Sequence, residues 1–209
     1  MELPSPALLS VFIPTFFLVS LTPGMCMTLA LSLGLRFGLR KTLWMMIGEL
    51  IGVGTVVVAS AVGVAGLLLL YPWLFVLLKL GGGCYLAWLG SQLLLSRGKM
   101  ALNEQTLNSA ALGRMELAAQ GFVTAIANPK GWAFFIALLP PFLDASRPLF
   151  GQLTVLTALI LIIEAICLLL YASGGKTLAH LLKSGNAHHL LNRVSGLLLC
   201  AVAVWLMLS

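Results

Sequence analysis

Charge is what this sequence has least of. Asp, Glu, Lys and Arg make up only 9% of the 209 residues, and six of them are acidic; a soluble domain carries about 25% charged residues. With 60% of the chain hydrophobic and a mean hydropathy of +1.07, no water-soluble fold of this length could hide the apolar surface. The first apolar run has no basic stretch ahead of it, since Met1 to Ala7 holds Glu2 but no Lys or Arg, which argues against a cleaved signal peptide. Cysteine is scarce too: Cys26, Cys84, Cys167 and Cys200 all fall in apolar runs, with no CxxC pair and no His at ligand spacing. They read as small apolar core residues and not as a metal site. No Walker motif, GxSxG or HExxH occurs, so neither an enzyme nor a cofactor is expected.

What the sequence does have is a series of long apolar runs: Ala7–Leu33, Thr42–Leu70, Trp73–Leu95, Leu117–Leu143, Gly151–Tyr171 and Leu190–Leu208. Most exceed the roughly 20 residues a helix needs to cross a bilayer. A transmembrane barrel would instead show alternating segments of about ten residues, and only helices or closed barrels satisfy their backbones in lipid. The expected fold is therefore all-α and integral to the membrane, with six helices in one transporter domain spanning 1–209. A first half at about 1–95, a polar cytoplasmic connector at about 96–116 and a second half at about 117–209 divide it. Such a chain leaves no room for a nucleotide-binding module, so any driving energy must come from an ion gradient or a partner.

The net charge of +6 points to topology and not to nucleic acid, because the basic residues sit in short loops. Arg36, Arg40, Lys41, Arg97, Lys99, Arg114, Lys176, Lys183 and Arg193 mark alternate loops, against Arg147 alone on the other side. By the positive-inside rule those loops are cytoplasmic and both termini external. Three helices per half would make the second half enter the membrane in the opposite sense, the inverted-repeat plan of many secondary transporters. Two correspondences favour it: Thr22-Pro23-Gly24 in the first helix against Asn128-Pro129-Lys130-Gly131 in the fourth, and Glu49 in the second against Glu164 in the fifth.

Each of these residues is costly where it stands. Pro23 followed by Gly24 should break the first helix and free carbonyls that need water, a neighbouring helix or a solute ammonium as partner. Glu49 lies roughly 10 Å inside the cytoplasmic boundary, too deep to snorkel, so it pairs with a cation or exchanges a proton; Glu164 lies at a comparable depth. Lys130 is either their counter-ion or a contact for a solute carboxylate. Asn128 either donates to that carboxylate or simply caps the second half of a broken helix. Lys79 is close enough to the outer boundary for its stem to reach the interface. Gly81-Gly82-Gly83 reads as a packing seam, and His180, His188 and His189 as solvated loop residues. Trp73, Trp88, Trp132 and Trp205 read as belt or packing residues.

Order and spacing of these pieces resemble the LysE/RhtB amino-acid exporters over essentially the whole chain. The resemblance rests on Thr22-Pro23-Gly24, the series Gly34, Gly38, Gly48 and Gly52, the stretch Lys79 to Gly90, and Asn128-Pro129-Lys130-Gly131 followed by Phe134-Phe135. It implies a six-helix protein of the bacterial inner membrane that exports amino acids or their derivatives by proton antiport. Two positions depart from the family pattern, Met25 where a second proline is usual and Glu49 where an aspartate is usual. On this reading Glu49 and Glu164 couple to protons, and Pro23, Gly24, Asn128, Pro129 and Lys130 bind an amino-acid-like solute. The glycine faces suit a homodimer. The competing readings are a membrane thiol-electron carrier, for which Cys26 beside Pro23 supplies half the pattern, and a non-transporting assembly or signalling protein.

Overall fold

In a chain so apolar the backbone must satisfy itself, and it does so as helix. A computed structural model describes residues 6–70, 73–95, 113–139, 142–143, 148–183 and 186–208. Among them are eight α-helices and no strand: α1 (Pro6–Leu21), α2 (Met25–Phe37), α3 (Leu39–Leu70), α4 (Leu74–Leu95), α5 (Arg114–Ile126), α6 (Pro129–Leu138), α7 (Leu149–Lys183) and α8 (Asn186–Leu208). Most of the connector, Arg147 and Pro140-Pro141 lie outside the described residues, as do the side chains of Lys79, Trp205 and the three histidines.

Helices α3 and α7 carry stretches long and apolar enough to cross a membrane, Leu39–Gly63 and Leu149–Gly174; the pair α1 and α2, bent by 55°, makes a third candidate. That bend falls where the sequence places a break, and a second break separates α5 from α6 at Ala127-Asn128. Each has a local cause. Pro23 has no N–H for Val19 O to accept, so the chain tightens instead, with Thr22 N donating to both Leu18 O and Val19 O at 3.1 and 3.2 Å. Pro129 opens α6 at the position where a missing N–H costs least, and Asn128 Oδ1 caps it by accepting from Lys130 N at 3.1 Å. Helices α2 and α3 meet at Gly38, whose φ of 75° is a left-handed conformation that glycine adopts without penalty.

Hydroxyls along the helices are absorbed internally. Thr15, Thr22, Thr28, Ser32 and Thr42 each donate to the carbonyl four residues back, which is how a polar side chain is tolerated in apolar surroundings.

Glycine seams bring the helices together. A Cβ on Gly48 would lie 1.8 Å from Ala118 O, and one on Gly121 would lie 2.0 Å from Met45 O, so α3 and α5 touch backbone to backbone. Gly34 meets Ala172 in the same way between α2 and α7, and Gly90 meets Gly196 and Cys200 between α4 and α8. The contacts advance together along α3 and α5 and in opposite senses along α4 and α8; the first pair runs parallel, the second antiparallel. At the start of α3 the Trp44 ring lies under the Arg114 guanidinium at 5.4 Å, which puts the α2–α3 joint and the end of the connector on one face of the molecule. Of the cysteines, Cys26 and Cys167 are buried as expected, whereas Cys84 is exposed on α4.

Candidate functional site

Both helix breaks open onto one small cavity of about 50 Å³, lined by Phe16, Val19, Ser20, Thr22, Gly24, Cys26, Met27, Val53, Asn128, Lys130, Gly131, Phe134, Phe135 and Glu164. That is room for a few water molecules, each of which needs roughly 10–15 Å³. Helix α1 supplies one wall with Phe16, and α6 supplies the other with Phe134 and Phe135, their rings at 5.4 and 6.0 Å from Phe16. Polar groups enter from the broken ends and from α7. The cavity therefore has an apolar end and a charged end.

At the charged end the carbonyls around the first break accept from side chains brought from elsewhere, in addition to what Thr22 N gives Leu18 O and Val19 O. Lys130 Nζ donates to Val19 O at 2.8 Å and reaches Thr22 O at 3.5 Å. Tyr171 Oη donates to Leu21 O at 2.8 Å, and Ser195 Oγ to Leu18 O at 3.3 Å. At the second break Trp132 Nε1 donates to Ile126 O at 2.8 Å. The sequence expectation that these carbonyls need partners is met inside the protein, with a cation at the first break. Lys130 thus spends its protons on backbone carbonyls, and Glu164 interacts with it through space.

Glu164 borders the cavity beside Ser20. Glu49 stands behind it, outside the lining, fully buried at 0% exposure, and neither of its carboxylate oxygens has a hydrogen-bond partner. Its neighbours are Glu164 and Cys26, and Cys26 Sγ in turn accepts a long contact of 3.8 Å from Asn128 Nδ2. Two carboxyls from α3 and α7, a thiol from α2, an amide at the α6 cap and an ammonium on α6 are gathered at the junction of the two breaks. A carboxyl so buried is costly without a partner, and the polar groups that adjoin it are the Cys26 thiol and the Glu164 carboxyl.

Of the residues singled out in the sequence, Gly24, Asn128, Lys130 and Glu164 line the cavity and Glu49 adjoins it. Pro23 and Pro129 do not line it; Pro129 is exposed and Pro23 half-buried, and both act through the breaks they cause. Ser20, Tyr171, Ser195 and the Phe16–Phe134–Phe135 wall were not singled out as site residues. Tyr171 and Ser195 reach α1 from 150 and 177 residues away, a pairing no local pattern announces. Ser20 and Cys26 had a signal, since each lies within one turn of the break.

A family model described as LysE type translocator matches residues 17–209. An "uncharacterized membrane protein" of Vibrio cholerae is 30% identical over 88% of this chain and 89% of its own length. A homoserine/homoserine lactone efflux protein of Salmonella typhimurium is 27% identical over 93% of each chain. A leucine efflux protein of Enterobacter sp. is 29% identical over 62% of this chain and 61% of its own length. No solved structure gives a significant match.

Proposed function

Since the chain belongs to the LysE type translocator family, a membrane transporter and not an enzyme, we propose that it exports amino acids or small amino-acid derivatives across the bacterial inner membrane in exchange for protons. The observation that carries this reading is the unpartnered Glu49 carboxyl beside Glu164, at the junction of two helix breaks that open onto a shared cavity. Leucine, homoserine and its lactone, the solutes in the relatives' names, differ in their side chains but share an ammonium-bearing carbon. Carbonyls and a carboxylate are suitable acceptors for that ammonium, and the aromatic wall suits an apolar side chain.

Mechanistically, Glu49 and Glu164 take up a proton from the outer side as the solute departs, and the solute's ammonium and the proton exclude each other at the carboxyl pair. The two occupancies favour opposite orientations of the cavity, which ties solute release to proton entry. At about 50 Å³ the cavity must widen to admit a solute.

Six crossings as a three-plus-three inverted repeat account for the arrangement. With each broken pair taken as one unit, exchange of the halves maps the packing of α1 and α2 on α7 onto that of α5 and α6 on α3, and α4 on α8 onto itself. The parallel and antiparallel senses agree with alternating crossings. The shared face of Arg114 and Trp44 agrees with a cytoplasmic first loop and connector and external termini. The thiol-carrier reading is not favoured, because the residue that meets Cys26 from the second break is Asn128 and not a second cysteine.

Proton-gradient-driven transport in proteoliposomes, corrected for folded protein, tests the coupling. Glu49→Gln keeps size and polarity but cannot exchange a proton, so gradient-driven export should stop while solute counterflow persists. Glu164→Gln should suffer in parallel if the pair shares the task. Wild-type rate and pH dependence in Glu49→Gln would assign the coupling elsewhere.

A further inference from the structure

Val19 O stands where an unbroken helix would offer it the N–H of residue 23, which Pro23 lacks; its one backbone donor is Thr22 N at 3.2 Å, and its second lone pair is open to another donor. Lys130 Nζ, brought from 111 residues away, donates to it at 2.8 Å. The same ammonium reaches Thr22 O, whose helical donor would come from residue 26 on the far side of the break. The carbonyl of Leu21 at this break is served by the neutral Tyr171 hydroxyl, and that of Leu18 keeps its helical donor Thr22 N and adds the Thr22 and Ser195 hydroxyls. Val19 and Thr22, which line the cavity, receive a cation, with the Glu164 carboxylate in electrostatic range. The Gly24 backbone adjoins that cation, a Cβ there lying in ordinary contact with Nζ at 3.9 Å. Two carbonyls and a nearby carboxylate at the cavity wall are what a primary ammonium group requires.

We propose that Lys130 Nζ is a tethered stand-in for the solute's own ammonium, holding the ammonium subsite of Val19 O and Thr22 O until the solute displaces it. This deepens the export reading and rests on it for the identity of the solute. Lysine and solute each offer three N–H donors and one positive charge, so the exchange leaves the carbonyls satisfied at every stage, as an apolar surrounding demands. Once displaced, the Lys130 ammonium is free for the solute's carboxylate. A zwitterion supplies both halves of the exchange and brings no net charge into the site. An amine without a carboxylate turns Lys130 out and gives it no anion of its own. Lys130 is thereby a specificity-determining residue as well as a plug.

The test has a solute-independent arm and a transport arm, both on the full-length protein. Lys130→Ala should be stabilised against heat by n-butylammonium in a saturable way, with little response to n-butanol or sodium chloride and little response of the wild type to any of them. Equal stabilisation of wild type and variant, none of either, or an equal effect of sodium chloride would overturn the subsite. Should Lys130→Ala fail to fold, Lys130→Met retains the stem. Adding Pro23→Ala restores an N–H for Val19 O, so the double variant should lose the dependence on amine that Lys130→Met alone shows. In transport, the wild type should prefer leucine to leucinamide, and Lys130→Met should reduce that preference by about tenfold, the scale of one charge-assisted contact. An unchanged preference overturns the specificity role. If the wild type moves neither these probes nor homoserine and its lactone while butylammonium still stabilises Lys130→Ala, the subsite stands and the export reading falls.

Discussion

Gly121→Ala adds a single methyl group where the backbone leaves no room for one. Its added Cβ would lie 2.0 Å from Met45 O and 2.9 Å from Glu49 N, so α3 and α5 must part until the first distance reaches at least 3.0 Å, a shift of 1.0 Å. Neither neighbour can turn aside, because both are backbone. A gap of 0.5–1 Å forfeits roughly a quarter to a half of a dispersion well, and Gly48 and Gly52 hold further contacts on the same seam. Overpacking of this kind costs about 1–3 kcal/mol, offset in part by the gain of about 1 kcal/mol of Ala over Gly within a helix. With the strain falling on backbone, a net loss of about 2 kcal/mol is expected, or about 4–8 °C in Tm for a chain of this size. Thermal unfolding in detergent, followed by tryptophan fluorescence, measures it. Gly63→Ala is the control, since nothing lies within 4 Å of a Cβ there, and it should be neutral or slightly stabilising. Gly48→Ala should resemble Gly121→Ala, and the double variant should lose less than the sum, because one separation relieves both clashes. If Gly121→Ala unfolds with Gly63→Ala, the backbone contact between α3 and α5 is not as described and Glu49 is held some other way.

Asn128→Ala removes the α6 cap and the contact with Cys26 and should cost about 1 kcal/mol, whereas Asn128→Asp should keep the cap; unfolding midpoints of the two variants separate these outcomes. Tyr171→Phe leaves Leu21 O without its donor and should cost about 1 kcal/mol while sparing solute preference, which transport of leucine and leucinamide will show. For topology, a single cysteine beside Arg40 in a cysteine-free background should react with an impermeant maleimide only after permeabilisation, and one near Glu2 without it; labelling at Arg40 from outside would reverse the orientation.

Much of the site was legible because its residues are expensive in lipid. Glu49, Lys130 and Glu164 are charges inside apolar runs, Pro23-Gly24 and Asn128-Pro129 are breaks at matching places in the two halves, and four of the seven residues line the cavity. The partnering of Lys130 was not legible. Charge rules pair a buried lysine with Glu49 or Glu164, but whether an ammonium meets a carboxylate or a carbonyl depends on which atoms lie within 3 Å or so, and only the fold sets that. Tyr171 was hidden for the opposite reason, since a tyrosine in an apolar run costs little and its hydroxyl finds an acceptor only across the bundle. The bend between α1 and α2 was foreseeable from Pro23. That a cavity lies between the two breaks depends on how the bundle packs.

Helix α6 is ten residues long, a rod of about 15 Å, and two side chains near its start secure both discontinuities. Lys130 latches the first through Val19 O and Trp132 latches the second through Ile126 O. A roll or slide of this one rod cannot loosen either latch without pulling on the other. The two halves of the molecule are in this sense geared: a push delivered at one fracture arrives at its counterpart as the turn of a shared key.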